Sequence, residues 1–275
     1  MKRELFYLVS VALSTACAKT GVPVVPESAD VAKSASDSEE AQEGPTVKSI
    51  LDRYVEVTGG EAAYASHSNQ LAQGYIDIAA QGLRGPVSLY MESPNSKMMV
   101  MEIPGMGEIV RVFDGEMGWE INPMLGPRLL TEDELKVEAH DAAFNAPLAW
   151  DTLYPERELK GSAEFRGEEV WEILLVSSGG MERTSYFSQE TGLMIGMDMT
   201  VPTDMGDVPV EVRVEDYQMV DDVLVPMRSV QAMGPIEVIV QLESLEWDVE
   251  EGMDLSMPDE VRALIPQPEE PATGE

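Results

Sequence analysis

The chain has 275 residues, 44% of them hydrophobic, enough for one sizeable core or two small ones. It carries 18 Lys+Arg against 51 Asp+Glu, a formal net charge of −33, and the acids run along its whole length as a solvated surface. A body that acidic repels phosphate backbones and anionic headgroups, which excludes nucleic acid as a partner.

The opening "MKRELFYLVSVALSTACA" has a basic start, an apolar run from Leu5 to Leu13, and small residues before Cys17. It reads as a signal peptide, too short to span a bilayer as a stable helix. The lone cysteine sits where the small residues end, and the segment resembles a bacterial lipoprotein signal. Residues 1–16 would then be removed and Cys17 would carry the lipid. Two details depart from that pattern. Ser14 stands where a large aliphatic residue is usual, and Ala16-Cys17-Ala18 is itself an A-x-A cleavage site. Residues 17–45 are rich in Ala, Ser, Glu and Pro and read as a flexible, lipid-anchored tether. The tail 265–275 reads as disordered, which leaves 46–264 as the folded body.

"TVKSILDRYVEVTGG" places Val47, Ile50, Leu51, Tyr54 and Val55 on one helical face. Thr46 is its N-cap and Gly59-Gly60 its stop. A short second helix follows near 61–66. From residue 70 the period becomes two, and about a dozen short strands follow, most joined by hairpin-length turns. Asp114-Gly115 is one such turn, and Asn122-Pro123 and Gly126-Pro127 are expected to break the sheet. A helical interruption spans 131–154, and Thr131 with Glu134 fits a capping box. The fold expected is mainly β within the α+β class. The economical architecture is one large curved antiparallel sheet with helices packed into its concave side.

Several stretches resemble the periplasmic lipoprotein-carrier-like and outer-membrane lipoprotein-sorting family. "YVEVTGGEAAY" is similar to the opening of that group. "ESPNSKMMVMEIPGMGEIVRVFDGEMGWEINP" is similar to its core pattern, a Pro-x-Lys turn, a strand and a DG..GW motif. "SYFSQETGLMIG" and "VEDYQMVDDVLVPMRS" resemble its later hairpins, with Asp222 where Gly is frequent. The likeness runs through roughly 47–258 in order. It implies a LolA/LolB-like open β-barrel that holds acyl chains of lipids or lipoproteins between sheet and lid, with no catalytic residue. It further implies a monomeric protein at the periplasmic face of the outer membrane, attached through Cys17 and serving lipoprotein sorting. Cleavage after Ala18 would instead release it as a secreted or soluble periplasmic protein.

Chemistry is sparse. His67 sits in a loop and His140 on a helix, where Asp141 does not share its face. No nucleophile elbow, zinc-helix or phosphate-loop motif occurs. Asp198, Asp204 and Asp207 fit no standard calcium loop. No catalytic residue, metal or cofactor is therefore expected. Methionine is abundant, and an unbranched thioether repacks easily around flexible ligands. The expected cavity wall is Met99, Met101, Val110, Val112, Trp119, Ile121, Met197 and Met199 from the strands. The lid contributes Leu148, Trp150 and Leu153, and Met117 and Met124 lie where sheet passes to lid. The rival readings are a protein-interaction or stress-sensing module on the same fold and, behind it, a carboxylate-dependent hydrolase.

Overall fold

In the computed structural model, which describes residues 44–203 and 206–265, a thirteen-stranded sheet dominates the chain. The signal segment, Cys17 and almost all of the tether and tail lie outside the described residues. The N-terminal helix α1 (Val47–Val57) begins as expected, with Thr46 and Ser49 forming a reciprocal capping box. It buries Ile50, Leu51 and Tyr54. The short α2 (Glu61–Ser66) follows two glycines. These glycines do more than stop a helix. Gly59 has φ +128°, and a Cβ there would lie 2.5 Å from the Asp222 carbonyl oxygen. The Leu224 N–H donates to the Thr58 carbonyl at 3.0 Å beside it, so the helix end is docked on a distant hairpin.

The first half of the sheet comprises β1 (Asn69–Ile78), β2 (Leu83–Glu92), β3 (Ser96–Ile103), β4 (Gly107–Phe113), β5 (Gly118–Asn122) and β6 (Gly126–Leu129). The second half comprises β7 (Glu156–Phe165), β8 (Glu168–Val176), β9 (Glu182–Ser188), β10 (Met194–Thr203), β11 (Gly206–Val220), β12 (Val223–Met233) and β13 (Ile236–Trp247). The spatial order is β6-β5-β4-β3-β2-β1-β13-β12-β11-β10-β9-β8-β7. Every neighbour is antiparallel, so each half is a meander. Among the described residues, only the β1–β13 strand pair joins the two halves of the sheet. There the backbones approach so closely at a register shift that a Cβ on Gly74 would lie 2.0 Å from the Gln241 carbonyl oxygen.

The free edges are β6 and β7, and the sheet does not close. They are consecutive in the chain, and the segment between them supplies α3 (Glu132–Asp141), a 3-10 turn at Ala146–Leu148 and α4 (Trp150–Leu153). The connector thus runs from one open edge to the other. Thr131 and Glu134 form the expected capping box at the start of α3. The architecture is the large antiparallel sheet with helical cover that the strand pattern implied, and it is open, as the resemblance implied.

One break is corrected. Gly126-Pro127 does not end the sheet but begins β6, where Pro127 pairs with Ile121. Proline cannot donate to a ladder, and an edge strand is the place where that missing donor is tolerated. A further short helix, α5 (Asp259–Arg262), packs its Val261 fully into the protein.

Candidate functional site

Two apolar clusters lie on opposite faces of the sheet. The larger lies on the helix-covered face and includes Met99, Met101, Met194, Met197 and Met227. Tyr54 of α1 seats its ring edge-on against Trp150, 6.2 Å between centroids, and against Phe187 of β9 at 5.6 Å. Met199, Trp150 and Leu153 pack partly buried against this cluster. Leu148 is 37% exposed. It borders a groove of about 430 Å³ between α1, α2 and the connector. Leu51, Val55, Pro147 and Trp150 form the apolar side of that groove, and Lys48, Glu56, Asp151 and Arg157 line its charged side.

The second cluster is built on Val112, Trp119 and Val261, with Val110, Met117 and Ile121 packed against it. The residues expected to form a single wall are therefore divided. Met99 and Met101 face the helices, whereas Val110, Val112, Trp119 and Ile121 face the other way, under Leu255, Met257 and α5. The pairings Val112 with Trp119 and Val110 with Ile121 confirm that these four share a face. Met124 joins neither cluster and is 51% exposed at the β5–β6 turn. Alternation places Val110 and Val112 on one face and Arg111 on the other. The obvious choice of the apolar set as the inner one fails because the C-terminal segment covers the reverse face.

What turns inward from β4 and β5 is a charged network. Three cations, Lys97, Arg111 and Arg128, meet three acids, Glu120, Glu134 and Glu138. Lys97 Nζ lies 2.6 Å and Arg111 Nε 2.7 Å from the two Glu138 carboxylate oxygens. Glu120 accepts from Arg128 at 2.9 Å and from Arg111 at 3.3 Å. Arg128 also forks onto both oxygens of Glu134, at 2.8 and 2.9 Å. Burial opposes ionisation of Glu134, but Arg128, the Thr131 N–H and Arg111 outweigh it and hold the carboxyl at about 2. For Glu138, burial is likewise overcome by Lys97 and Arg111, which keep it below the ordinary carboxylate range. This network docks α3 on the sheet. Its signal in the sequence was Arg111 and Glu120 interleaved among apolar strand residues, with Glu134 and Glu138 one helical turn apart.

Beside the network, at the C-terminal end of α3, His140, Asp141, Trp150, Tyr154 and Arg183 wall a cavity of about 40 Å³. His140 and Asp141 were expected on different faces, but α3 ends at Asp141 and the cavity wraps around that end. His140 Nε2 and the Tyr154 hydroxyl are 2.8 Å apart. Burial, helped by Arg183, pushes His140 down to about 4, and burial pushes Tyr154 up to about 12. Asp141 is driven up to about 6, chiefly by burial. Arg183 lies over the Tyr154 ring, 4.4 Å from its centroid. The other histidine is structural. His67 stacks on Trp247 and bonds Asp248 at 2.7 Å, which with the Ser68 N–H lowers that carboxyl to about 2. Asp198 accepts from the Tyr186 hydroxyl at 2.8 Å. Asp204 lies outside the described residues.

No family model matches the sequence, and no curated protein does. Solved structures do. A DUF1329 family protein from Desulfovibrio piger superposes with a TM-score of 0.51 at 10% identity, over 75% of this chain and 95% of that one. A LolA superfamily protein from Nitrosomonas europaea gives 0.51 at 13%, over 74% and 94%. An outer-membrane lipoprotein-sorting protein domain from Vibrio parahaemolyticus gives 0.48 at 7%, over 73% and 94%. The first two establish the fold class: the chain has a LolA-like open barrel.

Proposed function

We propose that this protein is a non-enzymatic lipoprotein of the cell envelope that binds acyl chains of lipids or lipoproteins between its sheet and its helical cover. The observation that carries this reading is the methionine-rich cluster on the helix-covered face. Met99, Met101 and Met197 are fully buried there, and the aromatic set Tyr54, Trp150 and Phe187 closes over the same cluster. Such a wall can repack around hydrocarbon as the cover shifts. Each methylene withdrawn from water contributes roughly 0.8 kcal/mol, enough in sum to offset leaving a membrane. Binding is driven by apolar burial, so its affinity should vary little with salt.

The sorting role, the periplasmic face of the outer membrane and the monomeric state belong to this reading too. So does the anchor at Cys17, with the tether 17–45 giving reach. Native mass spectrometry of the purified protein is the direct test. A co-purified lipid mass supports the reading, and a clean apo mass that stays unchanged after incubation with phospholipid vesicles overturns it. Cys17→Ala should release the protein from the membrane fraction; unchanged fractionation overturns the anchor alone.

A further inference from the structure

We propose that the cavity bounded by His140, Asp141, Trp150, Tyr154 and Arg183 is a head-group site, and that the head group it takes is the carboxyl of a free fatty acid. This deepens the acyl-binding reading and rests on it.

Three shielded polar atoms carry the inference. Trp150 Nε1, Arg183 Nε and Asp141 Oδ2 have no hydrogen-bond partner among the described residues, and all three residues wall the same cavity. Two are donors and one is a carboxylate oxygen. Native interiors seldom leave such groups unmatched, and all three belong to residues that wall one cavity, so a ligand that shifts Trp150 can meet them there. That ligand offers an acceptor to two N–H groups and shares a proton with Asp141. A volume of about 40 Å³ has room for only one or two water-sized groups. A carboxyl fits it, whereas a sugar or a phosphodiester is too large.

Charge selects the anionic head. Burial pushes Asp141 up to about 6, so near that pH it is only partly ionised and only partly balances the Arg183 guanidinium. Two carboxyls that share one proton carry one negative charge between them, and Arg183 balances it. His140 does not supply the proton, since burial keeps it neutral near pH 7 and it is engaged with Tyr154. The other charges acting on Asp141 are Lys97 of β3, Arg111 of β4 and Glu138 of α3. They are matched among themselves in the adjacent network.

The tail has a route. Trp150 and Pro147 wall both this cavity and the 430 Å³ groove, which continues along Leu51, Val55 and Leu148. A chain leaving the cavity past a displaced Trp150 enters that apolar groove. Trp150 is thus both a head-group donor and the partition that the ligand moves.

Palmitate and hexadecanol, titrated into the full chain by calorimetry between pH 5.5 and 8.5, separate this proposal from the reading beneath it. Palmitate should bind at least tenfold tighter than hexadecanol near pH 6 and lose affinity as pH rises. In buffers of different ionisation heat it should take up about one proton at about pH 8, and less near pH 6, where Asp141 already holds part of one. Asp141→Asn should keep palmitate binding but abolish the proton uptake. Arg183→Gln should weaken palmitate at least tenfold and leave hexadecanol unchanged. Trp150→Phe, which keeps the ring and removes the N–H, should weaken palmitate more than hexadecanol, and it serves as the second variant should either polar substitution fail to fold. Equal binding of the two ligands at every pH, with no effect of these variants, overturns the head-group site, and the cavity then holds water only while acyl binding stands. If neither ligand binds, the acyl-binding reading itself falls.

Discussion

Arg111 Nε lies 2.7 Å from the Glu138 carboxylate, and this ion pair joins the middle of α3 to β4 on the helix-covered face. Both side chains are buried. Glu138 also holds Lys97, so a single helix carboxylate anchors two adjacent strands.

Removing one member should leave its partners charged and buried. Glu138→Gln or Arg111→Met is expected to cost about 3–5 kcal/mol, read as a lower urea midpoint. The exposed pair Lys48–Asp52 on α1 should behave differently. Lys48→Ala should leave the midpoint where it is. Equal effects of the two would show that the network does not hold α3.

Stability between pH 4 and 6.5 should reflect two opposed groups. His140 is lowered to about 4 in the folded protein, so the unfolded chain binds the extra proton first. Its contribution is present above pH 6.5 and is lost as pH falls toward 4. Asp141 is raised to about 6, so the folded state holds its proton longer and stability falls as pH rises from about 4 to 6. Each shift is worth about 3 kcal/mol. His140→Gln should flatten the acid loss, and Asp141→Asn should raise the midpoint at pH 7. Urea midpoints measured across that range decide both, and a midpoint at pH 7 that drops in Asp141→Asn rules out the raised carboxyl.

Gly59→Ala should separate α1 from the β11–β12 turn. The new Cβ meets the Asp222 carbonyl at 2.5 Å while the backbone sits at φ +128°. A cost of about 1–3 kcal/mol is expected from the strain alone, with loss of amide protection at Leu224, whose N–H bonds Thr58. Gly60→Ala has nothing within 4 Å of its added carbon and should cost less.

The two apolar clusters should be separable by function. Met101→Ala and Val112→Ala each remove a buried side chain, at roughly 2–5 and 2 kcal/mol respectively. Only Met101 faces the helices, so only its substitution should change hexadecanol affinity. Truncation after Ser256 should uncover Trp119, now 1% exposed, and red-shift the tryptophan emission without altering that affinity. A matched loss of binding in Val112→Ala would place the acyl site on the wrong face.

Local chemistry made most of the elements legible. Thr46 and Thr131 are caps because a short side-chain acceptor next to a helical run has few other places to satisfy its neighbours, and Glu134 closes the second box from the third helical position. Asp114 turns β4 into β5 by accepting from the Glu116 and Met117 N–H groups, another bond within four residues. The strand β6 escaped notice because its four residues include a glycine and a proline, and what makes it a strand is Ile121 across the ladder. The small polar cavity escaped for a related reason. Trp150 and Arg183 come together only when β9 lies beneath the connector.

The sequence by itself determined the acidic surface, the capped starts of α1 and α3 and most of the hairpin-joined strands, since turns, caps and periods are short-range. Only the tertiary structure decided which way β4 and β5 face. Period two assigns Val112 and Arg111 to opposite sides but does not say which side is inner. That was settled by α5 covering Val112 and Trp119 on one face, while α3 brought Glu138 to Arg111 on the other. Burial is a property of what arrives on top of a strand, and here both covers come from distant parts of the chain.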